Sequence, residues 1–179
     1  MKVLAISGRA QNGKDTCATM LKEFMSLDNK TSVIIHYGDL LKFLCKTFFE
    51  WDGVKNEYGR HLLQRIGTDV VRRQRPDYWV DFVSDALRMF GDLWDYVIIP
   101  DARFPNEIDK LRECGFDVTH IRIKRTNFVS PLTAEQQSHP SETALDNSKV
   151  DYLVINDRGL NELRTTIYQL LKEHIYEKE

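Results

Sequence analysis

The stretch "GRAQNGKD" (residues 8–15), preceded by the apolar run "KVLAIS" (2–7), decides how the chain is read. The run is short, apolar and closed by a glycine, as a buried strand is. After Gly13, "KDTCATMLKEFMSL" carries helical periodicity. A strand, a turn with the spacing Gly8-x4-Gly13-Lys14, and a helix are the three parts of a phosphate-binding loop. The glycines let the backbone curl so that successive N–H groups point inward at phosphate oxygens. The helix beginning near Gly13 adds the positive end of its dipole. Lys14 supplies a mobile charge for the β- and γ-phosphates. An ordinary glycine-bearing turn is the plainer alternative, and the flanking strand and helix argue against it.

The residue after the lysine is Asp15, where a hydroxyl usually holds Mg²⁺, and Thr16 follows. A carboxylate holds Mg²⁺ directly or through its water, and Thr16 could instead reach the α-phosphate. Asp15 as a first-turn helix acid favoured by the dipole is a serious competitor.

Outward from this loop, strands and helices alternate. "SVIIHY" (32–37), "YVIIPD" (96–101), "FDVTHIRI" (116–123) and "DYLVIN" (151–156) read as further buried strands. A second helix is expected near Asp39 in "GDLLKFLCKTFFEW". Two more span 60–75 and 76–90, with Pro76 in the first turn of the latter. "PNEIDKLRECG" ends at Gly115, and "LNELRTTIYQLLKEHIY" closes the chain amphipathically. Residues 124–149 are polar and without sustained period, a long loop with one helical turn at most. Strands alternating with helices imply an α/β protein whose parallel sheet is covered on both faces.

Bulk properties bound the function. A length of 179 residues implies one domain, with 42% hydrophobic and 29% charged residues as in a globular protein. A net charge of -2 argues against a dedicated nucleic-acid or membrane-surface partner. Cys17, Cys45 and Cys114 are scattered, without metal spacing, and read as small core residues in a reducing, cytoplasmic setting. The apolar start breaks at Ser7 before Arg9, so no secretory core forms.

Three further stretches carry chemistry. In "IIPDARFPNE" (98–107) Asp101 follows a buried strand at the sheet edge where ligands bind, and Arg103 could fork onto a phosphate. An Asp–Arg loop pair, with Glu107 a helix-start acid, is the alternative. "RHLLQRIGTDVVRRQRPDYWVD" (60–81) places Leu62, Leu63, Ile66 and Val70 on a buried stripe, flanked by Arg65 and Arg72. Gly67 inside that helix suggests close approach of a ligand or another backbone. A solvated basic face, with Arg65 and Asp69 an i,i+4 pair, is the alternative. "IRIKRTN" (121–127) sets Arg122, Lys124 and Arg125 at the mouth of the long loop, as suits a lid that excludes water. His36, His61, His120 and His174 lack partner spacing and read as structural, and His139 in "HPSE" (139–142) as solvent-exposed.

Taken in order, "GRAQNGKDT" (8–16), "LLQRIGTDVVR" (62–72) with "YWV" (78–80), "VIIPDARFPNEID" (97–109), "HPSE" and "DYLVIND" (151–157) resemble the phage-type deoxynucleoside monophosphate kinases among P-loop kinases. Members commonly carry Asp after the loop lysine, so Asp15 fits the resemblance. It implies a three-layer fold with five parallel strands in the order 2-3-1-4-5, acceptor-binding helices over about 39–90 and a lid over about 124–149. It further implies transfer of the ATP γ-phosphoryl to a deoxynucleoside 5′-monophosphate, with ATP and Mg²⁺ as cofactors. Gly8, Arg9, Gln11, Asn12, Gly13, Lys14, Asp15 and Thr16 would hold ATP. Asp15, Thr16 and Asp101 would serve the metal, and Lys14, Asp101, Arg103 and Arg125 would be catalytic. Asp39, Lys42, Gln64, Thr68, Arg72, Trp79, Arg103 and Glu107 would line the acceptor site. "GDLLK" (38–42) departs from the acidic-proline-leucine-lysine pattern often found there, which leaves base choice open. The oligomeric state, monomer or homodimer, is left open too. Another small-molecule P-loop kinase, resembling dephospho-coenzyme A or phosphomevalonate kinases, and a non-catalytic nucleotide sensor are the alternatives.

Overall fold

The computed structural model describes residues 1–176. Its centre is β1 (Lys2–Ser7), all six residues of which are buried. Such complete burial needs a parallel neighbour on each side and a helical layer on each face. The neighbours are β3 (Tyr96–Ala102) and β4 (Asp117–Lys124), and the outer strands are β2 (Ser32–Ile34) and β5 (Tyr152–Ile155). All pairings are parallel, in the order β2-β3-β1-β4-β5. The expected strand order and helical layers are therefore what the structure shows.

Side-chain alternation along β1 divides the core. Leu4 and Ile6 pack with α1 (Lys14–Leu27) and α8 (Leu160–Leu170), through Leu21, Met25, Leu163 and Ile167. Val3 and Ala5 face α4 (Tyr78–Phe90) and α5 (Asn106–Glu113), through Val80, Val83, Ile108 and Leu111. Each fully buried aliphatic side chain contributes about 1.5–3 kcal/mol relative to exposure.

The segment between β2 and α4 forms an arm over one end of the sheet. It holds α2 (Gly38–Phe48) and α3 (Glu57–Gln64), closed on a small cluster of Cys45, Trp51 and Leu62. From Arg65 to Arg72 the helix widens into π-helical turns, with i→i+5 bonds. The wider turn rotates the expected stripe. Val70 is 39% exposed, and Val71 packs on the core instead. Three other expectations need correction. Strand β2 stops at Ile34, continued only by the Ile35 N–H bond to Ile98 carbonyl. Pro76 lies in the turn before α4, which starts at Tyr78. The long 124–149 segment contains two short helices, α6 (Ala134–Ser138) and α7 (Pro140–Thr143). Among the described residues no helix is long and apolar enough to cross a membrane. The three cysteines are free; Cys17 and Cys45 are buried.

Candidate active site

Strand order fixes where the site lies. The loop after β1 leads to α1 on one face, and the loop after β3 leads to α5 on the other. Two adjacent strands whose connections leave to opposite faces open a crevice at their carboxyl ends, where open α/β sheets bind ligands.

The first loop is built by its glycines. Gly8 and Gly13 have φ of 142° and 97°, which side chains resist. A Cβ on Gly8 would lie 2.3 Å from the Ile123 carbonyl oxygen, and one on Gly13 2.6 Å from Asn156 Nδ2. Asn12 is buried and ties the loop to the sheet edge. Its Nδ2 donates to Ile123 carbonyl at 3.2 Å, and its own carbonyl accepts from Asn156 Nδ2 at 3.0 Å. Lys14 opens α1 and folds back into the loop. Its Nζ donates to the carbonyls of Gly8 (2.7 Å) and Arg9 (2.9 Å). Burial lowers the ammonium to about 8, helped by the like charge of Arg103. The N-terminus of α1 has no side-chain cap. Its first-turn N–H groups are therefore donors for an anion.

This loop opens on a cavity of about 360 Å³. Lys14, Gln11 and Asp15 form the loop side; Gln64, Thr68 and Arg72 form the helical wall opposite. Asp101, Arg103 and Glu107 close the β3 end, and Lys42 and Trp79 line it as well. The structure thus brings most of the proposed acceptor residues to one space. Asp39 stands beside it, holding Lys42 Nζ at 2.8 Å.

Several of these side chains are already committed. Asp101 caps α2: Oδ1 accepts the Tyr37 N–H at 2.9 Å and Oδ2 the Gly38 N–H at 3.0 Å. Arg72 donates to Glu107 Oε1 at 2.5 Å and to Asn106 Oδ1 and the Pro76 carbonyl at 3.1 Å. Its guanidinium lies 4.0 Å from the centre of the Phe104 ring. Glu107 Oε2 accepts the N–H groups of Arg103 and Phe104 at 2.6 and 3.1 Å. Burial pushes the Glu107 carboxyl up to about 7 against the pull of Arg72. Trp79 is 4% exposed, and its Nε1 donates to the Gly67 carbonyl at 3.0 Å. It is a core residue with an edge on the cavity. Gly67 packs closely under Leu41, whose Cδ2 would lie 2.6 Å from a Cβ there.

Some cavity residues escaped the sequence reading. His36, which lacks partner spacing in the sequence, has partners in space. Its Nε2 lies 3.5 Å from Asp15 Oδ1 and its Nδ1 3.2 Å from Asp39 Oδ2, linking loop and arm. The Asp15 contact raises the imidazole and lowers the carboxyl. Lys55, Arg60 and Gln136 also reach the cavity, from parts of the arm and of the 124–149 segment with no motif. His139 is not solvent-exposed: its Nδ1 caps α7, accepting the Ser141 N–H at 3.2 Å, and its Nε2 lies 3.9 Å from Asp69. Among the described residues Arg65 and Asp69 form no pair.

Across the loop lies a second cavity of about 610 Å³, bounded in part by the 124–149 segment. Gly8, Arg9 and Asn12 line it together with Arg122, Lys124 and Arg125. Arg125 therefore stands here rather than beside Lys14, 4.4 Å from the centre of the Phe128 ring. Arg9 pairs with Asp146 at 2.5 Å. Gly13 and Thr16 line neither space, and Thr16 is exposed on the first turn of α1.

The residues fit a phosphate chain: an uncapped helix start, a curled loop and a lysine whose ammonium, among the described residues, bonds to loop carbonyls alone. The fit to Mg²⁺ is narrower. Among the described residues no group of three or more His, Cys, Asp or Glu could hold a metal ion. A carboxylate or two with nucleotide oxygens completing the shell is the usual Mg²⁺ arrangement, and Asp15 and Asp101 supply the carboxylates.

A sequence profile described as deoxynucleotide monophosphate kinase matches residues 52–167. Over 115 residues the chain is 35% identical to the deoxynucleotide monophosphate kinase of Enterobacteria phage T4, covering 63% of this chain and 45% of that protein. Over 197 aligned positions it is 25% identical to the putative deoxynucleotide monophosphate kinase of Acanthamoeba polyphaga mimivirus, covering 93% and 94%. The chain thus spans under half the length of the T4 relative and almost all of the mimivirus one. Among solved structures it is similar to Mycobacterium tuberculosis APS kinase in complex with AMPPNP and APS, with TM-score 0.56, 12% identity and coverage of 96% and 97%. Shikimate kinase from Aquifex aeolicus gives TM-score 0.53 at 14% identity, covering 97% and 98%. These two likenesses show the P-loop kinase fold.

Proposed function

This chain belongs to the deoxynucleotide monophosphate kinase family, and on that premise we propose that it transfers the γ-phosphoryl group of ATP to a deoxynucleoside 5′-monophosphate, giving dNDP and ADP. One observation carries the reading: the phosphate loop and an arginine-bearing helical wall face each other across a single cavity.

In this reading the loop N–H groups and Lys14 hold the donor phosphates. Release of Lys14 from the Gly8 and Arg9 carbonyls frees its charge for the migrating group. When bound, Mg²⁺ neutralises charge on the nucleotide phosphates, with Asp15 and Asp101 as the side chains at hand. Arg72 orients the acceptor phosphate, an oxygen of which attacks the γ-phosphorus as the bond to the β,γ-bridging oxygen breaks, and Arg103, on the wall of the same cavity, reaches toward both the acceptor and the migrating group. That phosphate is already a nucleophile, so positioning and charge stabilisation supply the catalysis. Gln64 and Thr68 offer hydrogen-bonding groups for the acceptor's sugar or base.

The test is ADP release with ATP, Mg²⁺ and a panel of acceptors. Turnover with deoxynucleoside monophosphates supports the proposal. Turnover only with another small phosphorylated acceptor, or nucleotide binding without acceptor-dependent turnover, overturns it.

A further inference from the structure

Glu142 lies on α7, in the "HPSE" stretch that the sequence left without a role. Its side chain is 6% exposed. Oε2 accepts the N–H of Ala10, the third residue of the phosphate loop, at 2.8 Å. Oε1 pairs with Nη1 of Arg103, which also donates to the Ser141 carbonyl at 2.8 Å. One lid carboxylate thus spans the loop after β1 and the loop after β3. Glu142 and Arg103 both belong to the wall shared by the two cavities.

The way Arg103 is held matters. Both side-chain tethers use Nη1, and among the described residues Nη2 and Nε carry no hydrogen bond. A guanidinium is planar, so fixing one corner fixes the direction of its remaining donors. Free in solvent, the same side chain would sample many rotamers. Glu142 also offsets the repulsion between Lys14 and Arg103, since its charge acts favourably on both.

We propose that Glu142 is a positioning residue for phosphoryl transfer: it sets Arg103 and the Ala10 N–H in one frame, so that the free edge of the guanidinium meets the migrating phosphoryl group without reorganising. Preorganised donors of this kind act on the transition state more than on the bound substrates. The inference rests on the kinase reading above.

The experiment compares kcat, KM for ATP, KM for a deoxynucleoside monophosphate, and Tm across wild type, Glu142→Gln, Arg103→Ala and the double variant. Glu142→Gln is expected to lower kcat at least tenfold while both KM values stay within threefold. The double variant should be no slower than Arg103→Ala, because Glu142 acts through that arginine. Should Glu142→Gln fail to fold, Glu142→Asp, one methylene too short for the span, carries the same comparison. An unchanged kcat, or multiplicative losses in the double variant, overturns the proposal. So does a lowered KM for ATP at unchanged kcat, which would make Glu142 a latch that competes with phosphate for the same donors. Wild-type turnover in the same assay separates the two claims: its absence with every acceptor counts against the kinase reading, and its presence beside an unimpaired variant counts against Glu142 alone.

Discussion

Arg72 and Glu107 form an ion pair inside the protein, 2.5 Å between Nη2 and Oε1, with side chains 11% and 3% exposed. The pair joins the π-helical turns to the start of α5 and forms one corner of the cavity. In the proposed reaction an arginine held this way would meet an acceptor phosphate with its geometry already set, and the carboxylate that sets it is buried at some cost.

That cost gives a pH signature. Burial raises the Glu107 carboxyl from near 4.5 to about 7. A raised pKa means that the folded state binds the proton more tightly than the unfolded chain. The resulting stability is full below the unfolded value and is lost as pH rises through the folded one. Between pH 4.5 and 7.5 the wild-type Tm should therefore fall by several degrees relative to Glu107→Gln. Parallel curves for the two proteins would contradict the assignment.

Trp79→Phe removes the donor to the buried Gly67 carbonyl. An unsatisfied buried acceptor costs about 1–3 kcal/mol. At this chain length that corresponds to a Tm roughly 2–12 °C lower. KM for the acceptor should move less than threefold. A tenfold rise in KM at unchanged Tm would place the indole against the acceptor instead.

Much of the fold was readable because β1 is apolar throughout and the strands alternate with helices, which leaves a parallel sheet as the economical solution. The strand order came with the family resemblance rather than from periodicity. The phosphate loop was legible from Gly8, Gly13 and Lys14 because backbone geometry dictates those residue types. His36 was not, since its contact with Asp15 depends on how β2 runs into the arm. Val70 misled because a π-helical turn breaks the 3.6-residue period on which the stripe was drawn. Glu142 lay in a polar segment without periodicity, where one buried carboxylate looks like any exposed one.

Asp101→Asn tests whether the residue that caps α2 also has the proposed duty at the metal. The amide keeps one acceptor and turns the other into a donor facing a backbone N–H of Tyr37 or Gly38. The loss at the α2 cap should lower Tm by a few degrees. Titration with Mg²⁺ should show a higher half-saturating concentration together with reduced kcat. An unchanged metal titration would leave Asp101 as a cap alone.

Lys14→Ala should lower kcat at least about a hundredfold, the scale of losing a preorganised charge at the migrating group. Circular dichroism should remain native-like, because the Lys14 ammonium bonds to the Gly8 and Arg9 carbonyls of the loop rather than into the core. A variant with near-normal kcat would remove the phosphate loop from the mechanism.

The central claim is tested most directly by following label from [γ-³²P]ATP into products with each deoxynucleoside monophosphate in turn. The account predicts label in the β-phosphate of the corresponding dNDP, with ADP formed in equal amount. Label recovered only as inorganic phosphate, or remaining in ATP with every acceptor, would contradict it.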